Sequence, residues 1–290
     1  MLNRPNFFIV GAAKSGTSAL SDFLSQHEEI VFSSIKEPFF FIDDPRVKNE
    51  SEYLKLFSSR DKKVAVGEGS TGYLFSEKSP NLIKKFCPSA KIIIMLRNPI
   101  DMAFSLWKYM CVHGNETMDF QDALRDRVDR TEELFKKSCA GRSENYLYID
   151  RASYFDQVKR FIDIFGENNI KIIVFERFIE NPNEICSDVF KFLGVSSDFK
   201  PKFRVVNPSG EIRFQWLKRL KNRKYPLLKK IIPINLRYRV REAVRDFNVN
   251  KKGKVTLPFY IRKEVGAHFS DDVGKLKKFL SDDLTEWKDF

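Results

Sequence analysis

Four short segments, Asn6–Gly11, Val64–Glu68, Lys91–Leu96 and Ile170–Phe175, are apolar almost throughout rather than at every second position. Strands that read this way are buried on both faces, which happens when helices cover both sides of a parallel sheet. The stretches between and after them have helical period, and several carry start signals. Ser79-Pro80, Asn98-Pro99 and Asn181-Pro182 each place a capping side chain before a proline suited to the first helical turn, with Glu184 three residues after Asn181. Tyr154–Phe165, Ile185–Leu193, Ile212–Leu220, Leu236–Phe247 and Val273–Leu280 are further expected helices. No internal repeat or low-complexity linker divides the chain. The expectation is therefore one α/β domain over residues 1–290, a central parallel sheet flanked by helices, with a helical and basic last third.

Charge narrows the partners. Lys and Arg number 51 against 39 Asp and Glu, a net charge of +12, which favours something anionic. The surplus is local: between Glu211 and Lys254 fifteen basic residues face only Glu211, Glu242 and Asp246, so the rest of the chain is neutral. Nucleic acid is the obvious competitor for such a stretch, but its cations interleave with Ile, Leu and Trp216 at helical spacing and no nucleic-acid motif precedes them. Peripheral membrane contact through 211–254, a solvated helical face, or an electropositive cleft wall all remain open. The four cysteines lack metal-ligand spacing, and three histidines do not supply it, so no metal site is expected. The longest early apolar run, Phe7–Ala13, is too short for a signal-peptide core or a membrane span, and a cytoplasmic location is expected.

The chemistry begins where the first strand ends. Gly11-Ala12-Ala13-Lys14-Ser15-Gly16-Thr17-Ser18 leads into a helix with Ala19, Leu20, Phe23 and Leu24 on one face. Backbone N–H groups of such a loop, the helix N-terminus and the hydroxyls converge on an anion. A nucleotide-hydrolysing P-loop would carry Lys at Thr17 and an acidic magnesium ligand after another apolar strand; Lys14 instead sits inside the loop and Ile92–Leu96 ends in Arg97. The anionic ligand is thus expected to be handled without magnesium.

The loop, then Lys36-Glu37-Pro38-Phe39-Phe40-Phe41, then Arg97-Asn98-Pro99 with Ser105 eight residues beyond Arg97, together resemble the sulfotransferases that use 3'-phosphoadenosine 5'-phosphosulfate (PAPS). The nearest likeness is to the carbohydrate branch, the heparan sulfate type and its bacterial relatives, over roughly the first 195 residues. The resemblance implies a P-loop-type three-layer fold and transfer of a sulfuryl group to a hydroxyl, of a carbohydrate, with 3'-phosphoadenosine 5'-phosphate (PAP) as product and no metal. It assigns Lys14, Ser15, Gly16, Thr17 and Ser18 to the 5'-phosphosulfate, with Lys14 beside the bridging oxygen, and Arg97 and Ser105 to the 3'-phosphate. Lys36 would balance the sulfuryl oxygens. Glu68 resembles the general base of a Glu-Lys-Ser/Thr-Pro-x-Tyr-Phe segment, from which this chain departs at Gly69 and Leu74. Lys252, Gly253 and Lys254 are similar to a basic lid over the donor. The other readings are sulfation of a small-molecule or lipid alcohol, a nucleotide-dependent phosphotransferase, and a non-catalytic anion- or glycan-binding protein.

Overall fold

The computed structural model describes residues 4–43, 45–47, 49–58, 63–113, 115–125, 143–202, 211–212, 249–250 and 257–290. Five strands, β1 (Phe7–Gly11), β2 (Ile30–Phe32), β3 (Ala65–Gly69), β4 (Lys91–Leu96) and β5 (Ile170–Val174), form one sheet in the order β2-β3-β1-β4-β5, every pair parallel. Successive residues explain the unbroken apolar runs. Phe8, Val10, Ile92, Ile94 and Leu96 enter the core on one face, and Phe7, Ile9, Ile93 and Met95 the core on the other. All nine are fully buried, and each is worth ~1.5–3 kcal/mol as area removed from water.

The helices among the described residues are α1 (Thr17–Leu24), α2 (Glu50–Lys55), α3 (Ser79–Phe86), α4 (Pro99–Val112), α5 (Phe120–Arg125), α6 (Tyr148–Ala152), α7 (Phe155–Phe165), α8 (Phe175–Glu180), α9 (Pro182–Leu193), α10 (Phe259–Ala267) and α11 (Ser270–Leu280). Among the described residues none is long and apolar enough to cross a membrane. From β1 the chain runs through α1 to the edge strand β2, returns to β3 beside β1, and only then crosses to β4 and β5 on the other side. The order reverses at β1, and in open sheets of this kind ligands bind beyond the carboxyl ends of the strands at such a point.

Several local expectations need correction. β2, a fifth strand, has only three residues, too few for an apolar run to stand out in the sequence. Asn6 and Val64 lie outside their strands; the Asn6 side chain instead donates to Val64 O at 2.9 Å and accepts from Val66 N–H at 2.9 Å, lacing the two strand starts together. Phe175 opens α8 rather than closing β5. Asn98 caps α4 as expected, accepting from Ile100 N–H, whereas Ser79 is the first residue of α3 and its buried hydroxyl donates to Phe41 O at 2.6 Å. Asn181 precedes α9 without a side-chain capping bond.

In the basic stretch, Glu211–Ile212 and Val249–Asn250 pair as a two-residue antiparallel ribbon, so Ile212 does not begin a helix. The remainder of the helices expected over 212–220 and 236–247, and the lid residues Lys252, Gly253 and Lys254, lie outside the described residues.

Candidate functional site

The loop after β1 is laid across β4: Ala12 N–H donates to Met95 O at 2.6 Å. Lys14 then takes a left-handed backbone (φ 62°) and Gly16 another (φ 87°), which turns the chain into α1. Gly16 is required twice over. Its φ is one that side-chain-bearing residues avoid, and a Cβ there would lie 2.8 Å from Cδ2 of Phe175. Gly16→Ala is therefore expected to destabilise the fold by ~1–3 kcal/mol, read as a lower denaturant midpoint at unchanged slope. Ser15 and Thr17 are buried, while Ser18 and Gly16 are partly exposed.

Arg97 leaves the end of β4 and turns back to this loop, donating from Nη1 to Lys14 O at 3.1 Å. Its guanidinium lies 4.8 Å from the centre of the Phe175 ring. Tyr154, fully buried, donates its hydroxyl to Arg97 O at 3.0 Å, so main chain and side chain are both held. Arg97 Nε is buried and makes no hydrogen bond among the described residues. A buried unsatisfied donor on a cation fits an anion site.

The Lys14 ammonium lies 4.8 Å from the centre of the Tyr109 ring. Its pKa is pushed down to about 8, first by burial and then by Lys36 and Arg97, with Lys108 adding repulsion and only Glu37 opposing. Four cations thus converge from the β1 loop, the segment after β2, the end of β4 and α4. Their mutual repulsion is relieved by a multiply charged anion. Lys36 itself is exposed, on a segment tied down by Arg46, which donates to Lys36 O at 2.7 Å. Ser105 is half-buried on the second turn of α4. Lys108 was missed at the sequence level because a helix lysine carries no local sign of what it faces.

This arrangement has relatives. A profile of the sulfotransferase domain matches residues 4–278. The chain belongs to the sulfotransferase family. The bifunctional heparan sulfate N-deacetylase/N-sulfotransferase 1 of Mus musculus is 25% identical over 287 residues, 90% of this sulfotransferase and 31% of the relative. The Homo sapiens protein of that name is 24% identical over 286 residues, with the same coverage. The chain therefore spans about a third of the length of these curated relatives. A crystal structure of a sulfotransferase from Alicyclobacillus acidocaldarius superposes with a TM-score of 0.74 at 30% identity, covering 98% of this sulfotransferase and 99% of that chain.

In this sulfotransferase Glu68 stands next to the end of β3, as expected, but no part of it is exposed. Oε1 accepts from the hydroxyls of Tyr73 at 2.6 Å and Tyr53 at 3.0 Å, and Oε2 from Ser70 at 2.5 Å. Burial nevertheless outweighs these three donors and lifts the Glu68 pKa to about 7. Ser70 Oγ in turn accepts from Phe39 N–H at 3.1 Å, and Tyr73 Oη from Phe41 N–H at 3.4 Å. Glu68 is thus the root from which the segment carrying Lys36 and Glu37 hangs. Thr71 draws Glu37 to the same place, its hydroxyl donating to Oε1 at 2.7 Å. Tyr53 comes from α2, too distant in sequence to be linked with Glu68 beforehand.

Proposed function

We propose that this sulfotransferase takes its sulfuryl group from PAPS and delivers it to a hydroxyl on a carbohydrate. The observation that carries the reading is the Lys14–Arg97 junction: a loop lysine whose carbonyl is held by a strand-end arginine that keeps one buried donor in reserve. The heparan sulfate relatives support the glycan and not the choice of a hydroxyl, since their names describe N-sulfotransferases, which deliver the group to nitrogen. The bound donor would supply the transferable group: the bond from sulfur to the phosphate oxygen breaks as one from sulfur to the acceptor oxygen forms, and PAP leaves.

The chain's own residues bind, balance charge and remove a proton. Gly16, Thr17 and Ser18 present the helix N-terminus and hydroxyls to the 5'-phosphosulfate, and Ser15, whose buried hydroxyl donates to Ala13 O, adds its backbone N–H. Lys14 stabilises charge growing on the bridging oxygen, and Lys36 balances the sulfuryl oxygens. Arg97 holds the 3'-phosphate, with Ser105 on the following helix. Glu68 takes the acceptor proton in its ionised form. Because its oxygens face Ser70, Tyr73 and Tyr53, the segment resting on Ser70 and Tyr73 must yield for the acceptor to reach it.

The test is calorimetric titration with PAP in the presence and absence of a chelator. Binding that is equal in both supports the reading; no binding, or strict dependence on magnesium, overturns it.

A further inference from the structure

We infer that residues 282–289 form a strap that positions the Arg97–Asn98 corner for the donor's 3'-phosphate, with Glu176 as the positioning residue that joins strap to corner. The inference rests on the assignment of Arg97 to that phosphate. It concerns a segment beyond the residues 4–278 matched to the family profile.

Three successive residues at the start of α8 face three partners. Phe175 supports the Arg97 guanidinium and closes on Gly16. Glu176 bridges: Oε1 accepts from Asn98 backbone N–H at 3.1 Å, and Oε2 from the Trp287 indole N–H at 3.1 Å. Arg177 grips the strap, donating to Asp282 at 2.6 and 2.8 Å and to Glu286 at 2.7 and 2.9 Å. The strap then reaches the corner a second time, where Asp289 Oδ2 accepts from the Asn98 side-chain amide at 2.8 Å. Asp289 is held by a two-pronged contact from Arg262, whose remaining nitrogen donates to Asp101 in the first turn of α4 at 2.6 Å.

Asn98 is therefore fixed through its backbone by Glu176 and through its side chain by Asp289, while its Oδ1 caps α4. Trp287 and Leu284 are fully buried, which seats the strap, and the Trp287 ring lies 6.1 Å from that of Tyr154, the residue bonded to Arg97 O. Arg97 immediately precedes Asn98, and Ser105 lies on the helix that Asn98 caps. A displacement of Asn98 changes the separation of the two groups assigned to one phosphate, and misplacement on the scale of an ångström is enough to cost affinity. The cations of Arg177 and Arg262 are paired with carboxylates, so what these two arginines contribute at the corner is geometry and not an anion contact.

The experiment compares PAP with adenosine 5'-phosphate, which lacks the 3'-phosphate, on Trp287→Phe, Glu176→Gln and Arg97→Ala. Trp287→Phe keeps a ring and removes the N–H; Glu176→Gln keeps the volume and removes the charge. Each is expected to weaken PAP ~10-fold while adenosine 5'-phosphate changes by less than about twofold, because a charge-assisted contact is lost only at that corner. Equal weakening of both ligands, or of neither, overturns the strap's role, and Glu176→Gln decides alone if Trp287→Phe does not fold. Arg97→Ala tests the underlying assignment separately. If it leaves the preference for PAP intact, the assignment falls; if it abolishes the preference while the other two variants retain it, only the strap falls.

Discussion

Replacing Lys14 with alanine is expected to lower kcat by ~10²–10³ while the affinity for PAP changes far less. Removing one preorganised donor aimed at developing charge has that magnitude, because the charge appears in the transition state and not in the bound donor. The position of Lys14 makes it the strongest candidate in the chain for such an effect. Its ammonium is drawn inward from three other cations and held against the Tyr109 ring, and its pKa is already down to about 8 through burial and the neighbours Lys36 and Arg97. A depressed lysine is charged below its pKa and neutral above it. The rate on free enzyme should therefore fall tenfold per pH unit above about 8. Lys14→Arg keeps the charge to far higher pH and should remove that alkaline limb, even if misplacement lowers the plateau. Steady-state kinetics from pH 6 to 10 on the three proteins reads both effects. An alanine variant with unchanged kcat, or an alkaline limb that persists in Lys14→Arg, removes Lys14 from the chemistry.

What could be read beforehand was what local sequence encodes. The loop from Gly11 to Ser18, the apolar β4 ending in Arg97 and the Asn98 cap each announce themselves within a few residues, because strand burial, helix starts and anion cradles have short-range chemistry. The rest depends on contacts between distant parts of the chain. Tyr53 reaches Glu68 in β3 from helix α2, Glu176 reaches Trp287 across 111 positions, and Arg262 reaches Asp101 across 161. No spacing rule links such residues. Net charge is a similarly indirect signal: the surplus belongs to 211–254, whereas Lys14 and the cations that act on it, Lys36, Arg97 and Lys108, lie outside that stretch.

The same separation of local signal from tertiary setting governs Glu68. The resemblance of its segment to that of the carbohydrate sulfotransferases implied a base, while its surroundings make it an anchor as well, and one substitution distinguishes the roles. Burial lifts its pKa from the ordinary 4.5 to about 7, against the pull of three hydroxyl donors. Below pH ~4.5 the carboxyl is protonated in both folded and unfolded chains. Between about 4.5 and 7 the unfolded chain has lost the proton and the folded one still holds it, so stability falls as pH rises, by ~3 kcal/mol in all. Above about 7 this contribution is constant. Glu68→Gln has no such group, and its denaturant midpoint should lack that decline. Activity should run the other way, since the base works only when ionised: kcat/KM should rise tenfold per pH unit up to about 7 in the parent enzyme. With the alkaline limit set by Lys14 near 8, the profile is a narrow bell. Glu68→Gln should lose the acid limb and ~10²–10⁴ of kcat. If it loses the pH-dependent stability yet keeps kcat, Glu68 is only the anchor of the segment bearing Lys36 and Glu37, and the acceptor proton leaves by another route.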